Sequence, residues 1–361
     1  MNNTYCRDFN AVRQRFEGWW DRRDIGRPLM RLTAPKPGVS GAAPTAATLE
    51  QRYTDPEYLT AAVRYELEHI LLLGDAFPNA SCNLGPGSMA LYLGSEPRFA
   101  EDTVWFTETV EDAEAFAKLS FDHENKWWVR HQEILRKMVE LSDGDYLVCI
   151  PDIIENADIL SSLRGAQDLC YDKIDCPENV EAGIRRIDEL YFRYYDALRD
   201  IAADADGTVA YTAFQILGPE RIAKIQCDYS ALISPGMYRE IIVPSLRKQC
   251  QNLRHSMYHL DGPDAIKHVD ALMTIEELDA LQWTCGAGQP DGACERWFPI
   301  YDKVRDAGKS LWIQIYDGGP GEWEAGTRRI IRRYGRHGLY FHYPLFPSAK
   351  EAEDFMLKFE G

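Results

Sequence analysis

Short apolar runs alternate with longer amphipathic stretches along most of the chain. Stretches such as residues 178–204 repeat their apolar side chains every three or four positions, the period of an amphipathic helix. The short runs are rich in β-branched and aromatic residues, as strands are. The runs predicted to be strands are residues 27–35, 71–79, 146–152, 207–216, 256–262, 278–286, 310–317 and 338–345. Nearly continuous apolar strands separated by helices predict a parallel sheet that is covered by helices.

Eight such units predict an α/β protein with the architecture of a (βα)8 TIM barrel. We expect one domain over residues 1–361, with a helical extension at residues 1–26 and an insertion at about residues 80–145. A doubly wound open sheet is the alternative, but no GxGxxG motif follows the first predicted strand.

The net charge of the chain argues against two classes of partner. The 361 residues carry a formal net charge of −17, which should repel nucleic acid and anionic membrane surfaces, so we expect neither as a partner.

Targeting segments and cysteine pairs are also not indicated by the sequence. The N-terminus lacks the apolar core of a signal peptide, and no apolar stretch is long enough to span a bilayer, which predicts a cytoplasmic protein. The nine cysteines include no CxxC pair, so neither a disulfide framework nor a zinc ribbon is indicated.

Polar residues stand at the ends of the predicted strands. In a (βα)8 barrel the carboxyl ends of the strands surround the active site, so these side chains should line one cavity. The most informative pair is His259 and Asp261 in "MYHLDGP", because residues two apart on a strand point to the same side. We predict that His259, Asp261 and Asp152 are catalytic. An ordinary strand end with an Asp-Gly turn is the alternative for the first two.

Further residues are candidates for binding a metal or a substrate. His259 and Asp261 could bind a metal together with His342, or with Cys285, although His342 could be a core histidine and "TCGAGQP" could be a glycine-rich turn. Asp228 could bind a polar group of the substrate or could cap a helix. The full set predicted to bind substrate is Asp228, Gln282, Trp283, Gln314, Tyr316 and Tyr343.

Three segments resemble the uroporphyrinogen decarboxylase superfamily. They are "QCDYSALISPGMYREIIVP" (226–244), "HLDG" (259–262) and "GLYFHYPLFPSAKEAEDF" (338–355). The resemblance implies a (βα)8 barrel. Two more segments, "CNLGPGSMALYLGS" (82–95) and "LQWTCGAGQP" (281–290), are similar to bacterial proteins of the branch that transfers methyl groups to or from corrinoid proteins.

The two branches of that superfamily differ in the residues they need. The decarboxylases have an arginine-rich N-terminal stretch that binds propionates, of which this chain keeps only Arg27 and Arg31. The thiol-methylating enzymes hold zinc with a His-x-Cys and a late cysteine, to which His259, Asp261 and, at best alignment, His342 correspond here. Oxygen and nitrogen donors in place of two thiolates make a harder site, which suits polarising an ether or an amine.

We therefore expect an enzyme, a corrinoid-dependent methyltransferase or demethylase that takes a methyl group from a small methoxylated or N-methylated compound. The imidazole, carboxylate and amide donors of His259, Asp261, His342 and Gln282 suit zinc as the cofactor. The resemblance implies pairing into a homodimer and a separate corrinoid protein that supplies cobalamin, because the chain has no DxHxxG motif of its own. Two alternatives remain open from the sequence. One is a cofactor-free decarboxylase of a tetrapyrrole-like carboxylate, and the other is a non-catalytic ligand-binding barrel.

Overall fold

A computed structural model describes residues 1–2, 4–6, 8–211 and 213–360. The strands in these residues are β1 (Leu29–Pro35), β2 (Ile70–Gly74), β3 (Asn79–Ala80), β4 (Pro97–Phe99), β5 (Val104–Phe106), β6 (Leu147–Val148), β7 (Thr208–Tyr211), β8 (Ile216–Pro219), β9 (Ile222–Gln226), β10 (His255–Asp261), β11 (Ala280–Thr284), β12 (Ser310–Gln314) and β13 (Leu339–His342).

The α-helices are α1 (Phe9–Trp20), α2 (Leu49–Thr54), α3 (Pro56–His69), α4 (Met89–Tyr92), α5 (Lys126–Ser142), α6 (Asn156–Arg164), α7 (Ala166–Asp175), α8 (Pro177–Ala202), α9 (Pro235–Met237), α10 (Val243–Asn252), α11 (Val269–Leu272), α12 (Phe298–Asp306), α13 (Pro320–Tyr334) and α14 (Ala349–Leu357). Short 3-10 helices cover Ala113–Lys118, Ala213–Gln215, Asp228–Leu232, Pro263–His268 and Glu295–Trp297, and a π-helix covers Tyr238–Ile242.

A seven-stranded sheet forms the centre of the protein, in the order β2-β1-β13-β12-β11-β10-β9. Its strands pair in parallel except for β2, which runs antiparallel to β1. Helices separate the parallel strands along the chain, and strands β9 to β13 are buried along nearly their whole length. The predicted α/β class with a parallel sheet is therefore confirmed.

The remaining strands form three separate pairs, β3–β6, β4–β5 and β7–β8. A single bridge between Ile150 and Tyr211 connects the region of β6 to β7. Within the described part of the chain, hydrogen-bonded ladders do not close the seven-stranded sheet into a ring. The structure therefore shows an α/β fold with a central parallel sheet, and the predicted closed TIM barrel is not confirmed.

Three local features account for the differences between the predicted and the observed strands. Strand β9 was not predicted, because Lys224 and Gln226 interrupt the apolar pattern of "IAKIQ". The predicted strand 207–216 divides into β7 and the start of β8, because Phe214 and Gln215 take positive φ angles of 62° and 48°. The predicted strand 71–79 ends at Gly74 and runs antiparallel.

Helix α1 covers the end of the sheet at which β10 and β12 begin. Trp20 stacks on His255, the first residue of β10, with ring centroids 5.0 Å apart, and its indole nitrogen donates to the carbonyl oxygen of Leu217. The hydroxyl of Ser310, the first residue of β12, donates to the carbonyl oxygen of Trp19 at 2.9 Å. The two tryptophans are fully buried. They close the amino-terminal end of these strands, which leaves the carboxyl end for a site.

Residues 80–145, which we predicted to be an insertion, pack against helices rather than extend the central sheet. They contain α4, the β4–β5 hairpin and α5, and α5 packs against α3 and α8. Helix α8 buries Ile187, Tyr191 and Leu198, which recur at helical spacing along one face. No helix in the described ranges has both the length and the apolar character needed to cross a membrane.

Candidate functional site

Asp228, His259 and Asp261 meet at the carboxyl ends of β9 and β10. One potential ligand atom from each residue lies within 4.8 Å of those of the other two. His259 and Asp261 share a face of β10, and Asp228 follows β9, which is the parallel neighbour of β10. The two carboxylates are exposed and the imidazole is half-buried, so the group lines an opening to solvent. The predicted pair is thus joined by Asp228, which we expected to contact substrate.

The strand register brings glutamines to either side of His259. Gln226 of β9 and Gln282 of β11 are its Cα partners on the two neighbouring strands. Gly262 follows Asp261 with a φ of 74°, a conformation that glycine adopts without strain, and it turns the chain directly after the strand. Alternation along β10 and the turn at Gly262 together place both polar side chains at the rim.

A buried ion pair lies beneath the rim. The Lys224 ammonium is 2.9 Å from Oδ2 of Asp152, and the Tyr211 hydroxyl donates to Oδ1 of the same carboxylate at 3.0 Å. Lys224 also contacts the side-chain oxygen of Gln226. The side chain of Lys224 is 1% exposed. Asp152, predicted to be catalytic, is therefore present at the base of the site, where it neutralises a buried cation.

Two further acidic residues surround β9. The backbone amide of Gln226 donates to Glu155 at 2.6 Å, and burial raises the pKa of Glu155 well above its usual value. Asp158 accepts hydrogen bonds at 2.8 Å from the backbone amides of Asp228 and Tyr229, and burial also raises its pKa. Because its pKa is raised, Glu155 is favoured in its neutral form, which limits the negative charge beneath the site.

The pKa of Asp228 is raised to about 7, first by desolvation and then by the nearby carboxylate of Asp158. Its side chain is nevertheless exposed to solvent. The side-chain amide of Gln226 donates a hydrogen bond to the Asp228 carboxylate at 2.8 Å, which partly offsets the effect of desolvation on the charged form. Desolvation and the neighbouring carboxylate of Asp158 both disfavour the charged form of Asp228.

His259 is held in its neutral form by its surroundings. Burial lowers its pKa, and the positive charge of Lys224 lowers it further. Nδ1 of His259 contacts the side-chain oxygen of Gln282, whose amide nitrogen donates to the hydroxyl of Thr284 at 2.9 Å. The ring of Phe214 lies 4.9 Å from that of His259. A neutral imidazole is the form that binds metals and accepts protons.

The structure places the other two predicted metal ligands outside this group. His342 is buried between the rings of Trp312 and Tyr340, with centroids 4.2 and 4.6 Å away, and burial lowers its pKa well below the usual value. Cys285 is also buried, and burial raises the pKa of its thiol to about 12, which disfavours the thiolate that would bind a metal. Asp228 takes the place that we expected His342 to fill.

The residues predicted to bind substrate divide between two sides of the sheet. Gln314 ends β12 beside His342 in the register, is exposed, and lies on the same rim as Asp261. Tyr316 follows it and is 38% exposed. Trp283 packs instead against Trp297, with centroids 5.0 Å apart, and Tyr343 shares a hydrogen bond with Thr327 of α13. These two aromatic residues face the covering helices.

Two carboxylates and one imidazole form a donor set that suits a divalent metal. Zinc is bound by histidine and aspartate, and catalytic zinc sites use three protein ligands and leave a fourth position open. The geometry of the three side chains is compatible with such a site, because their ligand atoms are close enough to share one ion. The same donors also suit manganese or iron, since two of the three are hard oxygen ligands.

The sequence interpretation missed four residues of the site, which are Lys224, Gln226, Glu155 and Asp158. Lys224 and Gln226 alternate in "IAKIQCD" as inward-facing residues of a strand do, a signal that ends at Asp228. Glu155 and Asp158 come shortly after Asp152, in a segment that the prediction treated as a connection. Nothing in the local pattern indicates that Glu155 is buried or that Asp158 accepts hydrogen bonds from the backbone after β9.

Comparison with known proteins supports the fold. No protein-family model matches the chain, and no curated protein sequence matches it. Solved structures do match, among them a methyltransferase from Methanosarcina mazei with a TM-score of 0.63. The match covers 96% of this chain and 97% of the other, at 10% sequence identity. At this identity the similarity is one of fold along the whole length of both chains.

Proposed function

We propose that the protein is a metal-dependent methyltransferase that transfers a methyl group from a small methoxylated or N-methylated compound to a corrinoid protein. The observation that carries this proposal is the group of Asp228, His259 and Asp261 at the carboxyl ends of neighbouring parallel strands. The fold is shared with a protein named as a methyltransferase, which supports the reaction class. The resemblance of the strand-end motifs to the superfamily's methyl-transfer branch supports the corrinoid partner.

In this proposal Asp228, His259 and Asp261 hold a divalent metal, most simply zinc. The metal would act as a Lewis acid on the oxygen or nitrogen that loses the methyl group. His259 contributes a neutral nitrogen donor, because burial and Lys224 disfavour its protonated form. Lys224 offsets the negative charge of Asp152 beneath the site. Gln314 and Tyr316, which are exposed at the same rim, would contact the substrate.

The two N-terminal arginines bear on the decarboxylase alternative. Arg27 is buried in an ion pair with Asp75 at 2.5 Å, and Asp75 also binds Arg15. Arg31 donates to Gln215 at 2.5 Å and lies beside His342 in the register. Only Arg31 is therefore placed near the rim, whereas a tetrapyrrole with several carboxylates needs several cations. This arrangement favours the methyltransferase proposal over decarboxylation.

The test combines metal analysis with a transfer assay. Purified protein should contain about one divalent metal per chain, as three protein ligands require. Mixed with a corrinoid protein in its reduced state, it should methylate the corrinoid from one member of a panel of methoxyaromatics and methylamines. His259→Ala should lose both the metal and the transfer, while His337→Ala, at an exposed histidine, should lose neither. Full transfer by metal-free protein, or release of carbon dioxide from uroporphyrinogen, would refute the proposal.

A further inference from the structure

Gln282 links His259 to Thr284 through its two polar atoms. Its carbonyl oxygen contacts Nδ1 of His259, and its amide nitrogen donates to Oγ1 of Thr284 at 2.9 Å. The side chain is almost fully buried, so these partners replace the water molecules that an exposed amide would bind. The β10–β11 ladder sets Gln282 directly beside His259 and therefore fixes this contact.

We infer that Gln282 is a positioning residue that selects the tautomer of His259. A carbonyl oxygen only accepts hydrogen bonds, so the Nδ1 that contacts it must carry the proton. A neutral imidazole has one such proton, and Nε2 therefore keeps its lone pair. Nε2 is then the atom with which His259 can bind a cation beside Asp228 and Asp261. The role of the metal in this inference rests on the proposed function, but the tautomer does not.

Thr284 is the partner of the other end of the Gln282 amide. Its hydroxyl oxygen accepts a hydrogen bond from the amide nitrogen, and the carbonyl oxygen of the amide is directed at the imidazole. With the amide rotated by half a turn, its nitrogen would donate to Nδ1, and the imidazole proton would move to Nε2. Nε2 would then carry a proton and would have no free lone pair with which to bind a metal. Orientation of a metal-binding histidine through its second nitrogen is a general feature of metal sites.

The tautomer can be read directly by nitrogen-15 NMR of the metal-free, full-length protein. The chain has eight histidines, and the signals of His259 are identified by their loss in His259→Gln. We expect a protonated Nδ1 and an unprotonated Nε2 in the wild type. Gln282→Met, which keeps the side-chain length but removes the acceptor, should shift His259 toward the tautomer with its proton on Nε2. Gln282→Glu should restore the original tautomer at pH 8.5, because a carboxylate only accepts.

Zinc affinity provides the second measurement, by competition with a chromophoric chelator. Gln282→Met should weaken zinc binding by roughly 10–100-fold, as loss of an outer partner of a ligand typically does. Gln282→Glu should recover most of the loss. Gln249→Met is the matched control, because Gln249 is a buried glutamine whose side chain has no hydrogen-bond partner among the described residues. This control should change neither the tautomer nor the affinity.

The outcomes separate this inference from the proposed function. A wild-type His259 with its proton on Nε2, or a tautomer that Gln282→Met leaves unchanged, would overturn the inference even if the protein transfers methyl groups. A tautomer that shifts as expected in a protein that binds no zinc would support the inference and refute the metal-dependent mechanism. Loss of affinity without rescue by Gln282→Glu would show a merely structural role and also count against the inference.

Discussion

The ammonium group of Lys224 lies 2.9 Å from the carboxylate of Asp152, inside the protein and beneath the three candidate metal ligands. Both side chains are buried, and Tyr211 completes the hydrogen bonding of the carboxylate. A buried ion pair of this kind does not imply a large net gain in stability, because desolvation of the two charges offsets their attraction. Breaking the pair is costly, however, since it leaves one charge without compensation.

Lys224→Met should therefore destabilise the protein by about 3–5 kcal/mol, the usual cost of leaving a buried charge unpaired. Chemical denaturation followed by circular dichroism would measure the change. The double variant Lys224→Met with Asp152→Asn removes both charges and should recover part of the loss. Lys350→Met, at a lysine that is 81% exposed, should change stability by less than about 0.5 kcal/mol. Equal effects of the two lysine substitutions would contradict the buried pair.

Metal content should follow the observed group of ligands rather than the one expected from sequence. Asp228→Asn should reduce bound zinc sharply, because it weakens one of three donors that lie together. His342→Phe should leave the metal in place, since that imidazole is packed between two aromatic rings and its Nε2 has no hydrogen-bond partner in the described part of the chain. Atomic emission analysis after equilibration with zinc distinguishes the two. Metal lost in His342→Phe but retained in Asp228→Asn would reverse the assignment.

Asp188 should make stability depend on pH. Burial raises the pKa of this carboxyl to about 6, although the Ser245 hydroxyl donates to it at 2.6 Å. An unfolded chain releases the same proton near pH 4, so the contribution of Asp188 to stability is greatest below pH 4 and falls as pH rises to about 6. The loss is about 3 kcal/mol and is nearly complete at neutral pH.

Asp188→Asn should accordingly be more stable than the wild type at pH 7.5, with a smaller difference at pH 4.5. The asparagine oxygen can still accept the hydrogen bond from Ser245, so the comparison isolates the charge. Urea denaturation at the two pH values measures it. Asp354→Asn, at an exposed aspartate, is the control and should show little of this dependence. A gain from Asp188→Asn that does not grow with pH would exclude the raised pKa as its cause.

Gly292 packs too closely against β12 to accept a side chain. A Cβ atom added there would lie 2.6 Å from the backbone oxygen of Gln314 and 2.7 Å from the side chain of Ile313. Gly292→Ala should destabilise the protein by about 1–3 kcal/mol, as overpacking of a dense interior does. Gly321→Ala in the first turn of α13 meets no atom within 4 Å and should be neutral or slightly stabilising. Thermal unfolding of the two variants would show the difference, and equal melting temperatures would contradict the close contact.

The sequence determined the class of the protein through patterns that are local. Apolar runs of strand length predicted the positions of β1, β10, β11, β12 and β13 closely, because buried parallel strands need continuous apolar residues. The same reasoning missed β9, since Lys224 and Gln226 look out of place in a strand until their buried partners are known. Alternation in β10 also placed His259 and Asp261 on one face without any tertiary information.

Only the tertiary structure decided which third residue joins that pair. His342, the expected ligand, is four strands from β9 in the sheet order and lies packed among aromatic rings, whereas Asp228 follows the strand beside β10. The sequence separations do not reveal this, because pairing between β9 and β10 is a long-range contact and β9 itself was unrecognised. Burial of Asp152 and Glu155 near Lys224 likewise depends on packing from distant segments. Local patterns determine which residues share a strand face, but neighbours across strands are determined by how the whole chain packs.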